Sequence, residues 1–125
     1  MQPLLTLSFS VQQAIAEKKP ILAMESTVLT HGLPYPENLE ILQTLEELCL
    51  ELEVEPATII ILDGKIHIGI TQAEKEILQR KMKNGEEIQK FGMRDIPYSI
   101  AYKKSGGTTV SATMLLANKA GIKVF

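Results

Sequence analysis

The stretch TIIILDGKIHIGI, Thr58 to Ile70, restricts the fold of this chain more than any other. The run Thr58 to Leu62 has no polar break, so as a strand it offers no face to water and needs cover on both sides. Asp63-Gly64 is a strong hairpin-turn signal, and Lys65 to Ile70 alternates behind it as a second strand. A sheet with such a centre requires helices above and below. The flanking sequence supplies them.

Val11, Ala14 and Ile15 share one helical face within Ser10 to Lys18, with Ser10 as the N-cap and Pro20 as the stop. Ile21 to Met24 follows as a short buried strand. Thr30 to Pro36, punctuated by His31-Gly32, Pro34 and Pro36, reads as loop. A long helix starts near Pro36 and carries Leu39, Leu42, Leu45, Cys49 and Leu52 at helical spacing to about Val54, with Glu46 to Glu55 forming its solvated face. Thr71 to Met82 is an amphipathic helix whose Thr71 and Glu74 make a capping box. Ile88 to Phe91 predicts a short strand and Asp95 to Tyr102 a short helix. Ser105-Gly106-Gly107 breaks the chain before a helix over Thr108 to Lys119, with Val110, Met114, Leu115 and Ala117 toward the core. Ile122 to Phe125 reads as a further strand.

Alternating helices and buried strands make the class α/β, with helices covering a central, mostly parallel sheet. The 125 residues suit a single domain, residues 1–125, and 45% hydrophobic against 22% charged residues argues for a packed core and against disorder. A net charge of −2 leaves no basic footprint for nucleic acid or an anionic membrane. No apolar run approaches the roughly 18 residues of a membrane span. MQPLLTLSFS lacks the charge pattern of a signal or transit peptide. One cysteine, Cys49, makes neither an internal disulfide nor a cysteine-rich metal site. The expected location is the cytoplasm. An interior strand that ends at Phe125 leaves an open apolar edge, so the expectation is the N-terminal part of a larger domain, cut after a core strand.

Two groups of residues carry chemistry. Ligands in open α/β sheets bind at the carboxyl ends of strands, and Glu25 stands at such an end with Ser26, Thr27, Thr30 and His31 behind it. A carboxylate in a partly dry site can act as a general acid. An acid that simply faces water fits the same spacing, and His31 beside Gly32 fits an ordinary turn residue. Glu25, His31 and His67 do not stand at metal-ligand spacing. In the second group, Gly106-Gly107-Thr108-Thr109-Val110 opens a helix, where free amides and hydroxyls suit an anion, and Lys90 and Arg94 add positive charge. The same residues fit a plain capped helix start, and they match neither a Walker sequence nor GxGxxG.

Taken together, AMESTVLTHGLPYPENLE, EPATIIILDGKIHIGI, MRDIPYSIA and SGGTTVSATMLLANKAGIKVF resemble, in order, the pseudouridine-5′-phosphate glycosidase family, from about Val11 to Phe125. The resemblance implies a three-layer α/β/α fold and an enzyme that reversibly splits the carbon–carbon glycosidic bond of pseudouridine 5′-phosphate into uracil and ribose 5-phosphate. It further implies a homotrimer and a divalent metal, usually manganese. On this resemblance Glu25 is the proton donor and Lys90, Thr108, Thr109 and Val110 bind substrate, Val110 through its backbone. Breaking the bond requires a proton on the ring carbon being released, and the family opens the sugar as an imine on a lysine.

The family's nucleophilic lysine and metal-binding aspartate lie beyond the segments matched here, and neither Lys103 nor Lys119 stands in the nucleophile's context. The 125-residue chain alone is therefore expected to be inactive. Met93 also departs from the family, which usually has a second arginine before Arg94-Asp95. The alternative is a truncated, catalytically dead paralogue that binds a phosphorylated ribose or contributes a subunit interface.

Overall fold

A computed structural model, which describes residues 5–125, builds the chain around one six-stranded sheet. The elements run β1 (Leu5–Leu7), α1 (Phe9–Ala16), β2 (Ile21–Met24), α2 (Glu37–Glu51), β3 (Glu55–Leu62), β4 (Lys65–Ile68), α3 (Gln72–Lys83), β5 (Gln89–Phe91), α4 (Ile96–Ala101), β6 (Gly106–Thr108) and α5 (Val110–Lys119). The first four residues of the stretch read for targeting lie outside the described residues. No helix among the described residues is long and apolar enough to cross a membrane.

The run of apolar residues makes β3 the centre, with every residue from Pro56 to Leu62 buried. Its two faces pack against separate groups. Ala57, Ile59 and Ile61 join Val11 of α1, Ile96 of α4, and Ala112, Leu116 and Ala117 of α5. Ile60 and Leu62 join Leu42 of α2 and Leu78 of α3. The three-layer α/β/α arrangement is the direct result, and each buried isoleucine contributes about 2 kcal/mol of apolar burial. Three strand pairings are parallel, β1–β4, β2–β3 and β5–β6. Two, β3–β4 and β3–β6, are antiparallel, so the sheet is mixed. The hairpin predicted from Asp63-Gly64 is present: Leu62 pairs with Lys65, and Asp63 (φ 49°) and Gly64 (φ 77°) form the left-handed two-residue loop.

Several local readings are corrected. Ser8, not Ser10, caps α1, because its hydroxyl accepts from the Val11 amide at 3.2 Å. Part of the expected loop is a π-helical turn, Val28–Gly32. Asn38 pins that turn by donating to the Leu29 carbonyl at 2.7 Å. Glu46 does not face solvent, since it pairs with Lys75 at 2.6 Å and accepts from Thr58 Oγ1 at 3.0 Å. Gly106–Thr108 is a strand inside the sheet, so the helix that follows starts at Val110 and buries Ala112, Thr113, Leu116 and Ala117, leaving Val110 and Met114 exposed. In place of a strand over Ile122 to Phe125 there is a single parallel bridge, Leu22 to Val124.

Lys81 ties α3 to the hairpin loop. Its side chain, 11% exposed, lies 2.8 Å from Asp63 Oδ1 and 3.3 Å from Glu86 Oε1. The Lys81 hydrogen bond holds Asp63 below its ordinary range, and the same bond lifts Lys81 above its own. A depressed carboxylate stabilises the fold above its unfolded value of about 4 and loses that contribution as pH falls through its lower folded value. For Lys81 the contribution is complete below about 10.4 and is lost as pH rises through the raised folded value. Asp63 is 61% exposed, so solvent screening limits the pair. Asp63→Asn, which tolerates the positive φ, should cost about 1 kcal/mol at neutral pH. Urea melts should show the gap between parent and variant closing in acid, and a gap independent of pH would contradict the linkage.

Candidate functional site

β2 runs parallel to β3 along Glu55–Thr58, whereas β6 runs antiparallel to it beside Ile60 and Ile61. The two short strands therefore approach one another along β3 and meet carboxyl end to carboxyl end. Hydrogen bonds close the junction: the Ser26 amide donates to the Thr108 carbonyl at 3.2 Å, and Thr27 Oγ1 donates to the same carbonyl at 2.8 Å. β5 lies parallel beside β6, in register Lys90 to Gly107 and Phe91 to Thr108, so its carboxyl end falls at the same place. Three strand ends thus converge, each turning into a different connection. That is where an open α/β sheet forms a ligand crevice.

The sequence-predicted residues divide at this junction. Glu25 directly follows β2, one residue from the weld, and is half-buried. Lys90 is exposed on β5, beside Gly107, and Arg94 is exposed in the 3-10 turn Met93–Asp95 that follows β5. Glu25, Lys90 and Arg94 take part in none of the ion pairs among the described residues. Val110 is the first residue of α5 and is 52% exposed. Thr109 is partly buried and precedes it, with its amide committed to the Phe91 carbonyl at 2.9 Å.

Thr108 differs from its expected place. It is fully buried, its amide donates to Ser26 Oγ at 2.8 Å, and its hydroxyl donates to the Ile59 carbonyl at 2.9 Å. Its polar groups serve the interior of the fold and not an open anion loop. The two glycines before it have a packing reason. A Cβ at Gly106 would overlap the Gln89 carbonyl and come within 2.6 Å of the Phe91 ring. A Cβ at Gly107 would overlap Thr30 Oγ1 and lie 2.9 Å from the Ser26 carbonyl. Thr30 Oγ1 is itself 2.7 Å from His31 Nδ1, which places His31 on the exposed side of the π-helical turn.

Beside the junction, Gly92, Met93, Arg94, Asp95 and Ser111 line a cleft of about 430 Å³. Its walls are held by the Gly92 amide donating to Asp95 Oδ2 at 2.8 Å and the Met93 amide donating to Ser111 Oγ at 3.0 Å. A second cleft of about 360 Å³ lies where Thr30, His31, Asn38 and Ile88 come together. Sequence reasoning missed Asn38 and Thr113. A polar residue on the apolar face of a helix was the available signal in both cases.

The resemblance implies manganese. No group of three or more His, Cys, Asp or Glu among the described residues can hold a metal ion. His67 lies on β4, where burial pushes its imidazole below the ordinary histidine range, with Glu74 opposing.

A family model described as indigoidine synthase A like protein matches residues 10–125. The chain is similar to a pseudouridine-5′-phosphate glycosidase from Clostridium botulinum, with 45% identity over 125 residues, 100% of this chain and 40% of the relative. A glycosidase of the same name from Escherichia coli is 42% identical over 122 residues, covering 98% of this chain and 38% of its own. Among solved structures, an indigoidine synthase A-like protein from Thermotoga maritima superposes with a TM-score of 0.81 at 35% identity, over 97% of this chain and 38% of its own. The prealnumycin C-glycosynthase AlnA, solved with ribulose 5-phosphate, gives a TM-score of 0.82 at 32% identity, over 100% and 39%. The chain thus spans about 40% of the length of the curated relatives it matches.

The packing of Gly107 makes a direct test of the junction. Gly107→Ala should destabilise the chain by about 1–3 kcal/mol, since Thr30 or the Ser26 backbone must give way. A urea midpoint equal to that of the parent would contradict this geometry.

Proposed function

The chain belongs to the indigoidine synthase A-like family, and on that premise we propose that it supplies the acid and part of the phosphate site of a pseudouridine-5′-phosphate glycosidase. The reaction is the reversible cleavage of the carbon–carbon bond between uracil and ribose 5-phosphate. One observation carries the reading. The carboxyl ends of β2, β5 and β6 converge beside the start of α5, with Glu25 directly after β2 and Lys90 on β5, in a chain 45% identical to a glycosidase of that name.

Each residue has a role suited to its chemistry. Glu25, in its protonated form, delivers a proton to the uracil carbon that leaves the sugar, and takes one back in the synthetic direction. Lys90 is a point charge with no ion-pair partner among the described residues, which suits a phosphate. The first amides of α5, from Val110 onward, point out of the helix start and add neutral donors for the same anion. Thr109 completes the turn that presents them. The imine-forming lysine of this chemistry is matched by no motif in these 125 residues. The reading therefore assigns this chain the proton transfer and phosphate binding and leaves sugar opening outside it. No step is derived through manganese. A homotrimer and a cytoplasmic location are further parts of the proposal, carried by the family resemblance.

Ribose 5-phosphate binding by calorimetry separates the two roles. Lys90→Ala should weaken binding about tenfold or more, the effect of losing a charged hydrogen bond. Glu25→Gln should leave it within about twofold while abolishing uracil release in any protein competent for the full reaction. Equal loss of binding in both variants would show Glu25 to be structural and overturn the assignment.

A further inference from the structure

Three hydroxyls at the junction are fully buried and have no role in the chemistry assigned to Glu25 and Lys90: Ser26, Thr108 and Thr113. Their contacts fix the direction of every proton. Thr108 Oγ1 lies 2.9 Å from the Ile59 carbonyl, which can only accept, so the single Thr108 hydroxyl proton points there. Thr113 Oγ1, at 2.8 Å, must then donate to Thr108 Oγ1. Ser26 Oγ, 3.3 Å from Thr108 Oγ1, receives the Thr108 amide at 2.8 Å and is left with its own proton to give to that oxygen. Thr108 Oγ1 thereby donates once and accepts twice, which is the full capacity of a hydroxyl.

This chain of bonds joins positions 82 residues apart in sequence. Glu25 is one residue before Ser26, and Val110 is two residues after Thr108. Apolar residues of similar size would fill the same space but would leave the Thr108 amide buried without an acceptor. A one-residue slip of β6 along β3 would replace the hydroxyl by Gly107 or turn it to the other face. The hydroxyls therefore define register as well as adding stability.

We propose that Ser26, Thr108 and Thr113 form a positioning clasp that sets the spacing between the Glu25 carboxylate and the start of α5, with none of the three touching substrate. The purpose of that spacing rests on the glycosidase reading. The clasp itself does not. It reassigns Thr108 from substrate contact to positioning residue, and it explains why a small buried hydroxyl follows two glycines at this point of the sheet.

The test compares Thr108→Val, which keeps the shape and removes the hydroxyl, with Thr108→Ser, which keeps the hydroxyl. Both are made in the 125-residue chain. Amide hydrogen exchange at Ser26 and Thr109 should speed up about tenfold in the valine variant, the effect of one buried hydrogen bond, while the β3–β4 hairpin keeps its parental protection. Ribose 5-phosphate affinity should fall about tenfold in the same variant, and serine should restore both quantities. Unchanged exchange at Ser26 and Thr109 would overturn the proposal. So would a uniform rise through the whole sheet, or a local rise with parental affinity. Should the valine variant fail to fold, Thr113→Val removes a single donor and is read by the same two measurements. Should the parent chain bind no ribose 5-phosphate, the glycosidase reading fails, and the exchange pattern alone decides whether the clasp exists.

Discussion

The arrangement of the candidate site depends on one strand edge shared by two others. β3 accepts β2 on its first half and β6 on its second, from opposite directions, and the two are joined by Ser26 and Thr108. Without that joint, Glu25 and the start of α5 would belong to separate pieces of the chain. With it, Glu25 directly after β2 and the start of α5 after β6 stand at one junction of strand ends, with Lys90 on the adjoining β5. The burial of β3 on both faces is what makes the joint rigid, since neither group of helices can shift without exposing Ile59, Ile60 or Ile61.

Much of the framework was legible in the sequence because local and global signals agreed there. An unbroken apolar run could only be an interior strand, and Asp63-Gly64 could hardly be anything but the hairpin loop that occurs. Glu74 reaches back to Thr71 as the capping pattern predicts, accepting from its amide and its hydroxyl at 2.8 Å each. The α/β class followed from alternation of elements alone. The family followed from ordered matches that no single motif would have carried.

What the sequence concealed is tertiary in origin. Gly106-Gly107 carries every local sign of a loop, and only the nearness of Gln89, Ser26 and Thr30 turns it into a strand. Thr108 looks like a helix cap with free polar groups until Ile59, Ser26 and Thr113 are seen to surround it. Glu46 sits among acids that face water, yet Lys75 and Thr58 arrive from other elements to hold it. Met114 shares a helical face with Val110, but the face of α5 that meets the sheet is that of Ala112, Thr113 and Leu116, and Met114 is exposed. In each case the deciding neighbour is more than ten residues away or lies on another element.

The central claim is that the converging ends of β2, β5 and β6 form a sugar-phosphate site. Titration of the isotopically labelled chain with ribose 5-phosphate, followed by nuclear magnetic resonance, tests it most directly. The account predicts saturable shifts confined to the amides of Glu25 to Thr27, Lys90 to Arg94 and Thr109 to Ser111, with the β3–β4 hairpin unaffected. Shifts centred on another surface, or none at concentrations where a phosphate site would fill, would contradict it.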